Sequence, residues 1–191
     1  YKRLRAVRDS GYGVALVVGR DYHPSPGWDL SGIKVYRVPH LVKYIDPAKD
    51  FLALRDLVTL LRRIRPDAVH THLAKAGILG RWAAYLSGTP LILHTVHGPT
   101  FPSTLPFHKR APYLWLEWIT GRITDHFVFV GEEVREEYIK KKVCRAQNSV
   151  IVRTGRPDAE IDEAAHTPEA ERSLIRHSLL DGTHPFLIAC V

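Results

Sequence analysis

The chain has 191 residues, of which 45% are hydrophobic and 25% charged, and its formal net charge is +7. Such values are typical of a globular protein with one real core, and no apolar run reaches the ~20 residues of a membrane span. Cys144 and Cys190 have no paired spacing, which argues against a disulfide scaffold or a cysteine zinc site and favours a reducing cytoplasm. The basic residues are scattered and form no recognition signature, so no nucleic-acid partner is expected.

Strands and helices are predicted to alternate along the chain. In order, the predicted elements are a helix over Lys2–Asp9, a strand within Gly13–Gly19, a loop over Arg20–Gly32, an edge strand over Ile33–Val38, a helix from Asp46 to just before Pro66, a strand over Val69–His72, a helix over Lys75–Leu86, a strand over Leu91–Val96, a loop over Pro99–Pro112, an aromatic helix over Tyr113–Thr120, a strand over His126–Val130, a helix over Glu132–Lys142 and a strand over Ser149–Val152. This alternation predicts an α/β fold, a Rossmann-like parallel sheet flanked by helices.

Both ends of the chain depart from a complete fold of this kind. The chain opens on a helix with no strand before it, and it closes on an apolar run, Phe186–Val191, with no successor. We expect residues 1–155 to form an incomplete N-terminal domain whose first strand is missing. Residues 156–191 are interpreted as a linker, a helix around Glu169–Leu180 and the first strand of a missing C-terminal domain. The chain is therefore interpreted as a fragment, truncated at both ends.

Four histidines lie at or near the carboxyl ends of two neighbouring strands, where open α/β sheets bind their ligands. His70 and His72 share one face of their strand, whereas His94 and His97 are three residues apart and point to opposite faces. This arrangement does not favour a four-histidine metal site, and no metal is predicted. His72 is a candidate acceptor contact, and His70 and His94 are expected to pack against neighbouring helices.

Five segments, in the right order, carry a resemblance to a known family. They are Asp67-Ala-Val-His-Thr-His72, Lys75-Ala-Gly-Ile-Leu-Gly-Arg81, His94-Thr-Val-His-Gly-Pro-Thr100, Thr124-Asp-His-Phe-Val-Phe-Val-Gly-Glu132 and Val150-Ile-Val-Arg-Thr-Gly-Arg-Pro-Asp158. Together they resemble the N-terminal, acceptor-side domain of a retaining GT-B glycosyltransferase of family 4. The sequence departs from the family pattern in having Gly131 for a serine, Thr154 for an asparagine and Pro99-Thr100 for Phe-Pro.

The resemblance implies a catalytic role for His97. This residue matches the family histidine that contacts the donor sugar near the anomeric carbon, where a neutral imidazole can hydrogen-bond a hydroxyl or stabilise developing charge. Gly98, beside it, is a candidate substrate contact. A second domain would hold the nucleotide-sugar donor, and no cofactor is expected.

Four further residues are candidate substrate contacts, each with a purely structural alternative. Lys75 and Gly77 open a helix whose free N–H groups favour a phosphate-bearing ligand, although Lys75 can equally be a solvated first-turn lysine. Glu132 lies at a helix start, where it can contact sugar or only complement the helix dipole. Arg153 faces the crevice from a strand end or lies on the surface.

The segment His108–Arg122 combines basic residues with tyrosine, tryptophan and leucine. This segment can lie at a membrane surface, with aromatic rings at the headgroup level, or pack as a core helix under a long loop. The expected localisation is accordingly cytoplasmic, with peripheral contact at the inner face of the membrane as one option.

The function implied by the resemblance is transfer of a hexose from a nucleotide sugar to a lipid-linked or other envelope glycan acceptor. The fragment alone is expected to be inactive. Three alternatives stay open: a GT-B nucleotide-sugar epimerase, a metal-dependent hydrolase built on the histidines, and a non-catalytic remnant or binding module.

Overall fold

The computed structural model describes residues 2–23, 28–98, 101, 106–153 and 188–190. Its helices are α1 (Lys2–Asp9), α2 (Pro47–Ile64), α3 (Ala74–Ser87), α4 (Phe107–Thr120) and α5 (Glu132–Lys140). Its strands are β1 (Val14–Gly19), β2 (Lys34–Val38), β3 (Ala68–His72), β4 (Leu91–Val96), β5 (His126–Phe129), β6 (Ser149–Ile151) and β7 (Ile188–Cys190), and short 3₁₀ turns cover Gly121–Ile123 and Ala146–Asn148.

The seven strands form one parallel sheet in the order β2-β1-β7-β3-β4-β5-β6. Helices separate most of the consecutive strands, as parallel connections require. This arrangement confirms the predicted α/β fold with a parallel sheet flanked by helices. The short, partly exposed strand β2 lies at the edge of the sheet, as its alternating pattern predicts.

Helices cover both faces of the sheet. On one face Val17, Val69 and Ile92 pack against Leu57 of α2 and Ala83 of α3, and all five are at least 97% buried. Farther along the same face, the aromatic rings of β5 pack against Tyr138 of α5. On the other face, Leu4 of α1 packs against alternate residues of β1. These clusters hold the carboxyl edge of the sheet in place.

Helix α2 begins and ends where its sequence signals place it. The Asp46 side chain accepts a hydrogen bond from the backbone N–H of Lys49 at 3.1 Å, and Pro47 occupies the first helical position. Arg65 closes the helix in the left-handed conformation, and its N–H donates to Leu61 O. The chain then leaves through Pro66, which cannot continue a helix.

The buried faces of two helices differ from the predicted ones. In α2 the apolar residues at three- and four-residue steps in the sequence begin with Phe51, which predicts that Phe51 faces inward. It is 70% exposed instead, and the buried positions are Ala53, Leu57, Leu60 and Leu61. In α3 the apolar spacing of the sequence likewise predicts that Leu86 faces inward, but it is 46% exposed, and the buried positions are mostly small residues. The apolar spacing therefore predicts both helices correctly but predicts the wrong side of each helix as buried. It gives most weight to large apolar side chains, whereas the buried sides of these helices include small residues.

Helix α4 begins earlier than predicted. The segment 107–112 was assigned to a proline-rich loop, but the structure places it in the helix, with Pro112 inside. Proline was taken as a helix boundary, whereas here it lies in the second turn and is exposed. The predicted strand ends agree with the structure to within two residues elsewhere in the described ranges.

The last described strand lies in an unexpected place. Residues Phe186–Val191 were interpreted as the first strand of a second domain, but the structure pairs β7 with β1 and β3 in the same sheet. It lies between β1 and β3, inside the sheet, where a first strand would lie in the common strand order of such folds. An apolar sequence is typical of an inner strand of a parallel sheet. The predicted linker and the helix around Glu169–Leu180 lie outside the described residues.

Candidate functional site

The parallel order of the strands gathers the candidate residues along one edge of the sheet. His72 ends β3, and His97 and Gly98 follow β4 directly. Glu132 opens α5 just after β5, and Arg153 follows β6. All of these positions therefore lie at the carboxyl edge, where α/β sheets bind ligands.

His72 and His97 are in direct contact. Nδ1 of His72 lies 2.9 Å from Nε2 of His97, and the ring centroids are 5.2 Å apart. A hydrogen bond between two imidazoles requires one neutral acceptor nitrogen, so the contact keeps at least one ring neutral. The contact also links the tautomers of the two rings. Whether Nδ1 of His97 is a hydrogen-bond donor or an acceptor depends on which of the two rings donates in this contact.

His70 and His94 lie on opposite faces of the sheet. His70 shares the face of His72, with ring centroids 4.5 Å apart, and its Nε2 lies 2.7 Å from the Thr95 hydroxyl. His94 is 98% buried on the other face, and its Nδ1 lies 2.9 Å from the Thr71 hydroxyl. The predicted packing of His94 against a helix is confirmed, because its ring lies directly beneath Gly77 of α3.

Burial sets the protonation of His94. Desolvation lowers the pKa of His94 well below its ordinary value of 6.5, and the nearby Arg81 guanidinium lowers it further. A neutral imidazole at this position both fills space and satisfies the Thr71 hydroxyl. His94 thus supports the site from below, whereas His97 is exposed at the edge.

Gly77 has a different place from the predicted one. Its N–H donates to Leu73 O at 3.0 Å and is therefore engaged within the helix, so it does not face an incoming anion. A Cβ atom at this position would lie 2.5 Å from Cε1 of His94. The glycine is explained by this close approach of α3 to β4, and the expectation of a free N–H at Gly77 is wrong.

Lys75 is held by an ion pair. Its ammonium lies 2.5 Å from Oδ1 of Asp50 in α2 and also donates to Tyr44 O. Both charged side chains are about one-fifth exposed. Lys75 therefore links the first turns of α2 and α3, so the solvated-lysine alternative is wrong, and a contact with substrate stays a prediction.

Leu73 joins β3 to α3 in a strained conformation. Its φ of 65° and ψ of 165° lie in a region that is essentially restricted to glycine, and its side chain is 66% exposed. It follows His72 directly in the chain. Nothing in its sequence neighbourhood signals this strain, because a leucine before a helix is ordinary.

The remaining candidates lie at the surface of the same edge. Gly98 follows His97, and no atom lies within 4 Å of where its Cβ would be. Glu132 and Arg153 are exposed. The structure places the three residues along the edge, and their contact with substrate stays a prediction.

A buried ion pair supports the site from behind, and sequence reasoning did not identify it. Arg81 of α3 and Glu117 of α4 are completely buried, and Nη2 of Arg81 donates to Oε2 of Glu117 at 2.9 Å. Arg81 also donates from Nε to Gly77 O at 3.0 Å. The sequence did offer a signal, because Arg81 closes one of the five family segments and falls among the small residues of the inner face of α3.

No metal centre is assembled in the part of the chain that the structure describes. Within those ranges no group of three or more His, Cys, Asp or Glu side chains is arranged to hold an ion. The four histidines are instead divided between two faces of the sheet. The alternative of a histidine-based metal hydrolase gains no ligand set from this geometry.

Comparison with known proteins identifies the family. The family model described as "Glycosyl transferase 4-like domain" matches residues 3–155. The chain belongs to this family. The GT-B glycosyltransferase resemblance drawn from the five segments is thereby confirmed, and the matched range contains every candidate site residue.

One curated relative carries a specific activity in its name. The chain is 39% identical, over 109 residues, to the UDP-Gal:alpha-D-GlcNAc-diphosphoundecaprenol alpha-1,3-galactosyltransferase of Escherichia coli. The match covers 57% of this chain and 28% of that protein. The chain therefore matches less than a third of the length of this relative.

Two solved structures align with this chain. A sucrose-phosphate synthase structure from Thermosynechococcus elongatus aligns with a TM-score of 0.55 and 17% identity, covering 90% of this chain and 91% of that one. A glycosyltransferase from Rickettsia africae aligns with a TM-score of 0.49 and 17% identity, covering 90% of this chain and 51% of that one. The first of these establishes the shared fold and nothing more.

Proposed function

We propose that this glycosyltransferase domain forms the acceptor side of an enzyme that transfers a hexose, with retention, from a nucleotide sugar to a lipid-linked sugar. The observation that carries the proposal is the contact between His72 and His97 at the carboxyl edge of the sheet. The name of the E. coli relative supports the choice of donor class and acceptor class. The chain does not supply the donor site in this proposal, which belongs to a second domain.

His97 is assigned the role at the reacting centre. Its ring lies beyond the end of β4, exposed, and its Nε2 is occupied by His72. In this role the ring orients a hydroxyl of the donor sugar or stabilises positive charge near the anomeric carbon as the leaving diphosphate departs. His72 acts as a positioning residue, because its hydrogen bond fixes the ring of His97 and its tautomer.

The edge around this pair suits a sugar acceptor. Glu132 and Arg153 follow the next two strands and are exposed. The Glu132 carboxylate is available to accept hydrogen bonds from sugar hydroxyls, and the Arg153 guanidinium is available to donate to diphosphate oxygens of an acceptor. Lys75 is assigned a weaker role, because Asp50 already neutralises its charge. An enzyme of this kind needs no resident metal in this domain.

Binding of the acceptor can be tested on the 191-residue chain itself. We expect a short-chain lipid diphosphate carrying N-acetylglucosamine to shift the ring resonances of His72 and His97 in NMR spectra. The matched control is His126, which lies in the same sheet at the amino end of β5 and should not respond. Equal shifts at all three rings, or none, would contradict the proposed acceptor side.

Catalysis can be tested in a hybrid enzyme. The segment of the E. coli galactosyltransferase that matches this chain is replaced by the corresponding segment of this chain, and transfer from UDP-galactose is measured. His97→Ala should lower kcat by about 10²–10³, the range seen when one transition-state hydrogen bond is removed. His126→Ala should leave the rate within about twofold of the parent hybrid. A His97→Ala hybrid with the kcat of the parent hybrid would refute the assigned role.

A further inference from the structure

Helix α4 has two faces of opposite character. Its inner face carries Glu117 and Thr120, both fully buried against α3 and its surroundings. Its outer face carries an apolar row, here called the aromatic stripe, which consists of Phe107, Ala111, Leu114, Trp115 and Trp118. These positions recur at helical spacing, so they form one continuous band.

The three aromatic residues of the aromatic stripe are exposed, whereas Leu114 is half-buried and packs against the core cluster of β5 and α5. Phe107 is 76% exposed, Trp115 61% and Trp118 40%, and the band lines a shallow groove of about 330 Å³. The two interpretations of this segment were a core helix and a surface helix. The exposure of both tryptophans favours the second, because the fully buried positions of α4 are Glu117 and Thr120.

Basic side chains border the aromatic stripe. Arg110 and Lys141 line the groove with it, and Lys141 comes from the end of α5 rather than from α4. The guanidinium of Arg122 lies 4.0 Å from the ring centre of Trp118, a cation–π contact. These three residues, here called the basic rim, surround exposed rings with positive charge.

We propose that the aromatic stripe and the basic rim dock this domain on the surface of an anionic lipid bilayer. Tryptophan and phenylalanine favour the headgroup region, and each nearby Lys or Arg is attracted to anionic headgroups. The charge of the rim selects this occupant over a neutral apolar partner. The inference deepens the proposed function, on which it rests, because an acceptor carried on a lipid is presented at such a surface. The described helices include none with the length and apolar content needed to cross a bilayer.

Vesicle flotation tests the basic rim. The 191-residue chain should float with phosphatidylcholine vesicles that contain phosphatidylglycerol, and only weakly with phosphatidylcholine alone. Arg110→Gln, Arg122→Gln and Lys141→Gln together should weaken binding by about a hundredfold, at about fivefold for each charge. The matched control removes the same charge from α2, with Arg55→Gln, Arg62→Gln and Arg63→Gln, and should bind like the parent chain apart from a small long-range effect.

The aromatic stripe is tested separately. Trp115→Ala with Trp118→Ala should reduce binding at least about tenfold, because both rings leave water on docking. Phe107→Ser should weaken binding, whereas Phe51→Ser, a similarly exposed phenylalanine near the start of α2, should not. Trp115 and Trp118 should also account for a blue shift of the tryptophan fluorescence when vesicles are added, with Trp28 as the control position.

Three results would overturn the proposal. They are absence of flotation with anionic vesicles, equal loss in the α2 control, and unchanged binding of the tryptophan variant. A parent chain that is dimeric in sedimentation, with a monomeric tryptophan variant and no vesicle binding, would assign the stripe to a second copy instead. The vesicles contain no sugar acceptor and no nucleotide sugar, so failure of flotation leaves the transfer proposal standing. Failure of the hybrid enzyme would remove the lipid-linked acceptor from the argument but would not change the flotation result, so the two failures are distinguishable.

Discussion

Replacing Glu117 with leucine should destabilise the domain by about 3–5 kcal/mol, because it leaves the Arg81 guanidinium buried without a counter-charge. Both side chains are completely buried, and their closest atoms are 2.9 Å apart. Since domains are stable by only about 5–15 kcal/mol, this loss is a large fraction of the total. In a chain of this length it corresponds to a fall in Tm of roughly 6–20 °C. Urea denaturation followed by circular dichroism measures it.

A double variant distinguishes charge burial from simple loss of packing. With Arg81→Met added to Glu117→Leu, no charge is left uncompensated, and most of the stability should return, to within about 1–2 kcal/mol of the parent chain. Glu136→Leu, an exposed glutamate on α5, serves as the control and should change stability by no more than about 0.5 kcal/mol. A Glu117→Leu variant within about 1 kcal/mol of the parent chain, or a double variant no better than the single one, would refute the reasoning.

Three further predictions concern the support of the site. Gly77→Ala should destabilise the domain by about 1 kcal/mol, since the clash with His94 outweighs the gain in helix propensity; Gly98→Ala, which meets no atom, should be neutral within about 0.5 kcal/mol. The pKa of His94 is lowered in the folded state, so as the pH falls below 6.5 the unfolded chain binds a proton at His94 that the folded chain does not. The free energy of unfolding should therefore decrease below pH 6.5. In His94→Gln the urea midpoint should depend less on pH in that range. Burial raises the pKa of the Cys144 thiol to about 11, so iodoacetamide at pH 8 should label it only after unfolding, as peptide mass mapping would reveal.

Much of the fold could be predicted from local pattern. Continuous apolar runs such as Leu91–Val96 identify strands buried on both faces, and Asp46-Pro47 and Gly88 identify helix ends. These signals depend only on residues close together in the sequence, so they can be recognised without knowing which elements pack together. The inner faces of α2 and α3 could not be placed in the same way, because what packs inside depends on how closely a helix approaches the sheet.

The central strand illustrates a second limit. The apolar character of Phe186–Val191 predicts a strand, and β7 confirms one, but nothing in the run states which sheet it joins. Pairing is decided by which apolar slot is open, a property of the folded sheet. The buried charges of Arg81 and Glu117 were missed for a related reason, since sequence alone ranks arginine and glutamate as surface residues.

The candidate site follows from strand alternation. Register places Thr71 beside His94 and His72 beside Thr95, so one face of β3 and β4 receives the packing histidine and the other receives His70 and His72. The same two segments therefore supply both the support and the reactive edge. His94 is neutral, buried and hydrogen-bonded to Thr71, and α3 approaches its ring closely because Gly77 has no side chain. His97 lies beyond the end of β4, where its ring contacts the ring of His72. Substitutions at His94 should consequently reduce activity through stability, and those at His97 should reduce activity with stability unchanged.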